Sequence, residues 1–282
     1  MKKLVFVSGA GRGIGQAIAL KLSEDPNYVV SGGSRSLGDL ENTKHLSKGK
    51  VRTSTVDVSK IDSVTKWVEA EISQVGASPW GLVTAAGVYG PIGPFIENSF
   101  EEWKHALEIN LFGTAYLAKI FAEKLISRKL SGRIVLLSGG GATQPQPNFS
   151  SYGACKSAVV RFGETLAHEL LEYKITVNSV APGAVNTKFT EDLLRAGPQK
   201  VGQETYAKVL KQKESGGTSP DKAASLCSYL LSERASEITG RLISAVWDPW
   251  QNLHEHTSEL NQSDIYTLRR IIPEDRKKDF NL

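Results

Sequence analysis

The sequence is poor in cysteine and lacks both a long apolar run and a dense block of basic residues. Its 282 residues include two cysteines, Cys155 and Cys227, which lie far apart and form no CxxC pair. A disulfide framework or a zinc site is therefore not expected, and a reducing compartment fits this cysteine content. Nowhere do 18 apolar residues follow one another, and Leu4–Ser8 is too short for the core of a signal peptide. We expect a cytoplasmic protein that does not cross a membrane.

The charge balance disfavours nucleic acid as a partner. The chain has 34 basic and 30 acidic residues, a formal net charge of +4, and its basic residues are scattered. A scattered surplus of charge usually only solvates the surface, whereas nucleic-acid binding calls for a basic patch. Hydrophobic residues make up 40% of the chain and charged residues 23%, which is enough apolar material for a substantial globular core.

Short β-branched runs alternate with helical patterns along most of the chain, and no repeat or linker separates a second domain. Several runs are apolar on both faces, as parallel strands covered by helices must be. We therefore predict an α/β fold: a doubly wound, Rossmann-like, three-layer structure with a seven-stranded parallel sheet and a C-terminal tail. The predicted strands are Leu4–Ser8, Tyr28–Gly32, Val51–Val56, Gly81–Ala85, Arg133–Leu137, Ile175–Val180 and Leu242–Val246. The predicted helices are Ile14–Leu22, Val64–Ile72, Phe100–Leu125, Tyr152–Leu171 and Lys222–Leu231.

The first strand runs straight into a glycine-rich turn that opens a helix. The turn has the spacing G-x-x-x-G-x-G, with Gly9, Gly13 and Gly15, and it also contains Arg12 and Ile14. Such glycines let backbone N–H groups and a helix N-terminus approach a pyrophosphate. A tight strand-to-helix connection is the alternative reading, but the position between an apolar strand and an amphipathic helix favours dinucleotide binding.

The end of the second strand favours NADP(H) over NAD(H). An NAD site usually places an acid there to hold the ribose 2′-hydroxyl, but this sequence has Ser34 and Arg35, with no acid until Asp39. A guanidinium pairs well with a 2′-phosphate, and Arg12 supplies a second cation nearby. The alternative is that each arginine is an ordinary solvated surface residue.

A tyrosine and a lysine follow the fifth predicted strand at a spacing of four. This spacing puts Tyr152 and Lys156 on one face of a helix, where the ammonium group can lie beside the phenol. A nearby cation favours phenolate, so we expect Lys156 to lower the pKa of Tyr152. Such a tyrosine can transfer a proton at working pH while a hydride moves.

In these motifs and their order the chain resembles the short-chain dehydrogenase/reductase family, in its shorter, single-domain branch. The likeness runs from Lys3 to about Val246 and includes the glycine turn and the Y-x-x-x-K pair. Further matches are the adenine-contacting pair Asp57-Val58, the stretch Ala85-Ala86-Gly87 in place of N-A-G, the helix residue Asn110, and the P-G-x-x-x-T of Pro182, Gly183 and Thr187, which includes Val185.

The resemblance implies a role for each of these residues. Tyr152 would be the general acid in reduction or the base in oxidation, Lys156 would hold the nicotinamide ribose, and Asn110 would organise a relay water. The glycine turn and the other matching pairs and stretches would bind the cofactor. The resemblance also implies a small carbonyl or alcohol substrate and a homodimer or homotetramer.

The serine that family members use to hold the substrate carbonyl is displaced. It normally lies thirteen residues before the tyrosine, and here that position is Gly139, one residue after Ser138. A shift of one residue on a strand turns the side chain to the opposite face. We expect the flexible glycine run to re-aim Ser138 towards the substrate. Thr143 and a backbone N–H of the glycines remain as alternatives.

Two segments depart from the regular alternation. Residues 186–219 are polar and contain glycine, and we interpret them as a lid within a single NADP(H)-binding catalytic domain, residues 1–246. Residues 247–282 form an extension expected to pack on the domain or a neighbouring subunit. Its Trp247 and Trp250 could instead stack on a ligand ring. His254 and His256 lack a third partner, so no metal site is expected.

The sequence leaves two functions open. The first is an NADP(H)-dependent oxidoreductase that moves hydride between the cofactor and a carbonyl or secondary alcohol, on a polar, sugar-like substrate. The second is a family-like sensor or scaffold that binds NADP(H) without turnover, which the glycine at position 139 keeps possible. The presence of Tyr152, Lys156 and Asn110 together favours the enzyme.

Overall fold

A computed structural model of the chain describes residues 2–280, so Met1, Asn281 and Leu282 of the predicted domain and extension lie outside the described residues. The sheet has seven parallel strands in the order β3-β2-β1-β4-β5-β6-β7. This confirms the predicted doubly wound α/β fold. The strands are β1 (Lys3–Ser8), β2 (Tyr28–Ser34), β3 (Val51–Thr55), β4 (Ser78–Thr84), β5 (Gly132–Leu137), β6 (Ile175–Ala181) and β7 (Leu242–Ser244).

Helices cover both faces of the sheet and make the second and third layers. They are α1 (Gly13–Leu22), α2 (Leu37–Leu46), α3 (Ile61–Gln74), α4 (Phe100–Leu107), α5 (Gly113–Ile126), α6 (Ser150–Glu169), α7 (Lys188–Val201), α8 (Gln203–Glu214), α9 (Pro220–Leu231) and α10 (Thr257–Asn261). Strand β1 shows how the layers form. Val5 and Val7 face a core that α1 and α9 complete, whereas Leu4 and Phe6 face a core completed by α3, α5 and α6. None of the helices in residues 2–280 is long and apolar enough to span a bilayer.

The structure differs from the predicted elements at particular places. Helix α2 was not predicted, because its sequence is largely polar and has little amphipathic pattern. The predicted helix Phe100–Leu125 is divided by a π-helical turn, Glu108–Phe112, in which the N–H of Gly113 bonds the carbonyl of Glu108 five residues earlier. Single π turns inside helices often occur at functional sites, and this one contains Asn110.

The segment interpreted as a lid consists largely of helices α7 and α8. Thr187 caps α7 in a reciprocal capping box with Thr190. The chain kinks at Gly197, which has φ +78, and turns again at Gly202, which has φ +90. Glycine adopts such left-handed conformations without a steric penalty. The segment is therefore a helical pair joined by glycine turns.

The described part of the C-terminal extension packs along the sheet edge at β7. Arg241 is only 8% exposed, and its guanidinium donates to the carbonyls of Leu260, Ser263 (3.0 Å) and Ile265 (2.8 Å). The N–H of Leu242, in the edge strand, donates to the carbonyl of Tyr266 at 2.8 Å. These bonds attach the extension to the last strand.

We predict that Arg241→Met, which keeps the aliphatic stem but removes the guanidinium, lowers the free energy of unfolding by about 2 kcal/mol or more, because three backbone carbonyls lose a charged donor. The urea midpoint measures this. Arg128→Met is the control, since Arg128 is exposed in the turn after α5 and its guanidinium donates to the carbonyl of Lys124 in that helix. Equal midpoints for the two variants would show that the Arg241 contacts do not hold the extension.

Candidate functional site

A cavity of about 970 Å³ lies along the carboxyl ends of the central strands. Ligands of open parallel sheets bind at this edge, because the loops that leave the strands converge there. Nearly all residues singled out from the sequence line it. They are Gly9, Arg12, Gly13, Ile14, Gly15, Ser34, Arg35, Asp57, Val58, Ala85, Ala86, Gly87, Ser138, Tyr152, Lys156, Pro182, Gly183, Val185 and Thr187. Asn110 is the exception, because it is fully buried behind the cavity wall.

The glycine turn is packed so closely that side chains would not fit. A Cβ at Gly15 would lie 2.3 Å from the carbonyl oxygen of Gly9, and a Cβ at Gly9 would lie 2.7 Å from the backbone nitrogen of Ala86. Gly9 also has φ +70, a left-handed conformation that favours glycine. The turn therefore opens helix α1 directly onto the cavity, an arrangement that fits the pyrophosphate of a dinucleotide.

An acidic residue lies beside Arg12 of the glycine turn, near the end of β2. Asp39, in the first turn of α2, lines the cavity, and its carboxylate is 3.7 Å from the guanidinium of Arg12. Sequence reasoning placed no acid at this site, because it did not predict α2, which returns Asp39 to the cavity. Arg35 is exposed and lines the same region.

Asp57 lies close to Arg35. Burial acts to raise the pKa of Asp57, but the hydroxyl and the backbone N–H of Ser59, which both donate to its carboxylate, lower it overall, together with the charge of Arg35. Asp57 is therefore ionised at neutral pH and partly offsets the charge of Arg35.

Tyr152 and Lys156 face the cavity from one side of α6, but their electrostatics differ from the expectation. Burial raises the pKa of Tyr152 above its ordinary value and lowers that of Lys156 to about 8. The ammonium lies 5.6 Å from the centre of the Tyr152 ring and donates to the carbonyl of Leu137 at 2.8 Å. The expected lowering of the Tyr152 pKa is therefore wrong for the protein groups alone, because desolvation, followed by Tyr89 and Cys155, raises it.

The geometry does not support a re-aimed Ser138. Its side chain is buried, and its hydroxyl lies 3.5 Å from the backbone carbonyl of Lys156. Gly139 has extended backbone, with φ −176 and ψ 171, and a Cβ added there would lie 2.5 Å from the Tyr152 hydroxyl oxygen. The position that faces the tyrosine is therefore Gly139, as the family spacing implies. Any residue tolerates the backbone conformation at position 139, but the Tyr152 hydroxyl occupies the space that a side chain there would need.

Asn110 holds neighbouring backbone segments together. Its side-chain oxygen accepts from the N–H of Val88 at 3.2 Å, and its amide nitrogen donates to the carbonyls of Val88 and Ala106, both at 2.9 Å. Its own carbonyl accepts from the Thr114 hydroxyl at 2.8 Å. These contacts make Asn110 a positioning residue for the segment after β4.

Sequence reasoning missed the aromatic rings that surround Tyr152. The ring of Tyr89 lies 4.8 Å from that of Tyr152 and 4.6 Å from that of Phe189, between centroids, and Phe149 lies 5.5 Å from Tyr89. Burial, followed by the charge of Asp192, raises the pKa of Tyr89 to about 12. A signal was present, because Tyr89 and Phe189 each lie two residues after a family motif, at Gly87 and Thr187 respectively.

The two tryptophans of the extension have different surroundings. Trp250 packs against the ring of Tyr229, with centroids 5.6 Å apart, and joins the core beside α9. Trp247 is 84% exposed and lines the mouth of the cavity. Trp250 therefore packs in a core, as one alternative predicted, whereas Trp247 lies beside the cavity.

Comparison with known proteins gives consistent matches. The family model described as short chain dehydrogenase matches residues 3–196. The 3beta-hydroxysteroid dehydrogenase 1 of Eggerthella lenta is 30% identical over 247 residues, which cover 84% of this chain and 90% of that protein.

Solved structures with the same fold have been determined with either nicotinamide cofactor. A variant of actinorhodin polyketide ketoreductase with NADPH is similar with a TM-score of 0.77 at 27% identity, covering 86% of this chain and 95% of that one. NAD+-bound xylitol dehydrogenase is similar with a TM-score of 0.76 at 25% identity, covering 86% and 96%.

We predict that Gly15→Ala weakens dinucleotide binding at least tenfold, about 1.4 kcal/mol, because the added methyl group forces the glycine turn apart. Titration with NADPH, followed by its fluorescence, measures the dissociation constant. Gly38→Ala is the matched control, since a Cβ at Gly38 meets no atom within 4 Å. If both variants are folded by circular dichroism and bind NADPH equally, the turn is not the pyrophosphate site.

Proposed function

This chain belongs to the short-chain dehydrogenase/reductase family, and on that premise we propose that it is an NADP(H)-dependent carbonyl reductase in which Tyr152 is the proton donor. Members of the family are oxidoreductases that act on alcohol or carbonyl groups of small molecules with a nicotinamide cofactor. The observation that carries the proposal is the convergence of the glycine turn, Lys156 and Tyr152 on one cavity.

The cofactor, when bound, supplies or accepts the hydride. The protein contributes a proton and fixed positions. Burial raises the pKa of Tyr152, so its phenol is protonated at neutral pH and carries the proton that carbonyl reduction requires. In this direction its hydroxyl donates the proton to the substrate oxygen.

Lys156 has a pKa of about 8 and is therefore mostly charged at neutral pH. An ammonium has three N–H donors, and one of them is used by the carbonyl of Leu137. We assign the others to the hydroxyls of the nicotinamide ribose. Gly87 leaves the space beside Lys156 free of a side chain. A Cβ there would lie 3.9 Å from the Lys156 nitrogen and only 2.7 Å from the Asn110 side-chain oxygen, which is too close for a side chain.

The cofactor preference rests on Arg35. Asp39 engages Arg12, so Arg35 is the cation with more freedom to pair with a 2′-phosphate. We keep Arg12 as a weaker second contact. Thr143, which also lines the cavity, is the side-chain candidate for holding the substrate oxygen in place of the family serine. Ser138 does not suit that role, because its side chain is buried and its hydroxyl lies beside the backbone carbonyl of Lys156.

The remaining expectations stay predictions. They are a catalytic domain over residues 1–246, an extension over residues 247–282, a homodimer or homotetramer, and a cytoplasmic location. The sensor without turnover is the second candidate function, and Gly139 is the observation that favours it. The role of Tyr152 distinguishes the two functions.

We predict that Tyr152→Phe lowers the turnover number for NADPH-dependent ketone reduction by about a hundredfold or more, because the ring is retained but the proton is lost. NADPH affinity should change by less than about threefold, which is under 1 kcal/mol. Tyr206→Phe is the control, since Tyr206 packs in the same apolar cluster. Equal rates in Tyr152→Phe and wild type would remove the tyrosine from the reaction. NADPH binding with no turnover by the wild type would favour the sensor.

We predict that the wild type binds NADPH at least tenfold more tightly than NADH, about 1.4 kcal/mol, and that Arg35→Asp reverses this order. The carboxylate would repel the 2′-phosphate and accept from the 2′-hydroxyl. Titration with both cofactors measures the ratio, and Arg128→Asp is the control for a change of charge elsewhere on the surface. Equal binding of NADPH and NADH by the wild type would contradict this reading of β2.

A further inference from the structure

The surroundings of the Tyr152 hydroxyl are apolar and largely aromatic. Besides Tyr89, Phe149 and Phe189, the cluster around Tyr152 contains Leu193 of α7 and Val209 of α8. Tyr89, Phe189, Leu193 and Val209 also line the cavity, so the cluster is the wall of a ligand site. Phe189 is half-buried, and it lines the cavity.

Polar side chains, among them Thr143, Gln146 and Asp192, also line the cavity, but among residues 2–280 none of them hydrogen-bonds the Tyr89 or Tyr152 hydroxyl. Position 139, which faces the Tyr152 hydroxyl, carries no side chain. A sugar or other polyol needs a donor or acceptor for each of its hydroxyls, and a buried hydroxyl without a partner is costly. This surface therefore suits a ligand with one carbonyl oxygen on an apolar frame.

The rings also favour a flat ligand. The planes of Tyr89 and Phe189 are inclined by 38°, and Phe189 meets the edge of Tyr152 at 6.2 Å. Tyr89 and Phe189 therefore present apolar ring surfaces to the cavity that Tyr152 also lines. An aromatic ring stacks well on such surfaces, whereas a saturated ring contacts them less well and a polyol would lose hydration of its hydroxyls there.

We propose that the substrate is a ketone whose carbonyl is attached to a flat aromatic ring, and that Tyr89 and Phe189 are its specificity-determining residues. The proposal rests on the proposed reductase function and differs from the sugar-like substrate that the sequence suggests. The aromatic ring would lie against Tyr89 and Phe189, with its carbonyl oxygen at the Tyr152 hydroxyl.

The first test uses the wild-type protein and three ketones with NADPH. Acetophenone and cyclohexyl methyl ketone have the same carbon skeleton and differ in planarity, and fructose represents a polyol ketone. We expect kcat/KM for acetophenone to exceed that for cyclohexyl methyl ketone about tenfold or more, the discrimination that a shaped apolar pocket provides, with fructose lowest. A higher kcat/KM for fructose, or equal values for the two methyl ketones, would overturn the proposal.

The second test is Phe189→Leu, which removes the ring but keeps an apolar side chain. We expect the ratio between acetophenone and cyclohexyl methyl ketone to fall to within about threefold, with NADPH affinity unchanged. Phe100→Leu is the control, because Phe100 is exposed and stacks on Trp103 away from the cavity lining. A ratio in Phe189→Leu equal to that of the wild type would overturn the proposal. If Phe189→Leu does not fold by circular dichroism, Tyr89→Leu is subject to the same two outcomes.

The outcomes separate this proposal from the proposed function. Reduction of fructose or of an aliphatic ketone in preference to acetophenone, lost in Tyr152→Phe, overturns the aromatic substrate class and supports the reductase. A folded wild-type protein that binds NADPH but reduces none of the three ketones, and none of a wider ketone panel, overturns both.

Discussion

The site depends on one constraint, which is that all seven strands are parallel and the sheet is buried on both faces. Parallel strands bring their carboxyl ends to a single edge, so the loops that leave them meet there. The glycine turn after β1, Arg35 after β2 and Ala85 to Gly87 after β4 reach one cavity for this reason. Residues as far apart in sequence as Gly9 and Thr187 therefore lie around the same cavity, because each follows the carboxyl end of a parallel strand.

Burial of the site fixes its electrostatics as well as its geometry. Desolvation disfavours the charged form of each group, so it raises the pKa of Tyr152 and lowers that of Lys156. The carbonyl of Leu137, at the end of β5, anchors the ammonium and ties α6 to the sheet. A Cβ at Gly139 would meet the Tyr152 hydroxyl, so the absence of a side chain at position 139 is also part of this arrangement.

The sequence predicts the sheet well, because continuous apolar strands and spaced motifs are local signals. It also places the glycine turn and the Tyr152–Lys156 pair, since both depend on spacings of a few residues. It does not show which way Ser138 faces, because that depends on the exact end of β5. Nor does it show the contact of Asp39 with Arg12 or the rings of Tyr89 and Phe189 around Tyr152. Those contacts depend on how α2 and α7 pack, which is a tertiary property without a local pattern.

The attachment of the extension to β7 has a consequence for the order of events during synthesis. Strand β7 is three residues long, and the N–H of Leu242 finds its partner only at Tyr266. A ribosome that adds about 5–20 residues per second needs roughly 1–5 seconds to make the 24 residues from Ile243 to Tyr266. Until Tyr266 is available, the N–H of Leu242 lacks this partner, and the shortness of β7 limits what a neighbouring chain can pair with. Closure of this edge therefore depends on residues 260–266, which are made after the strand itself.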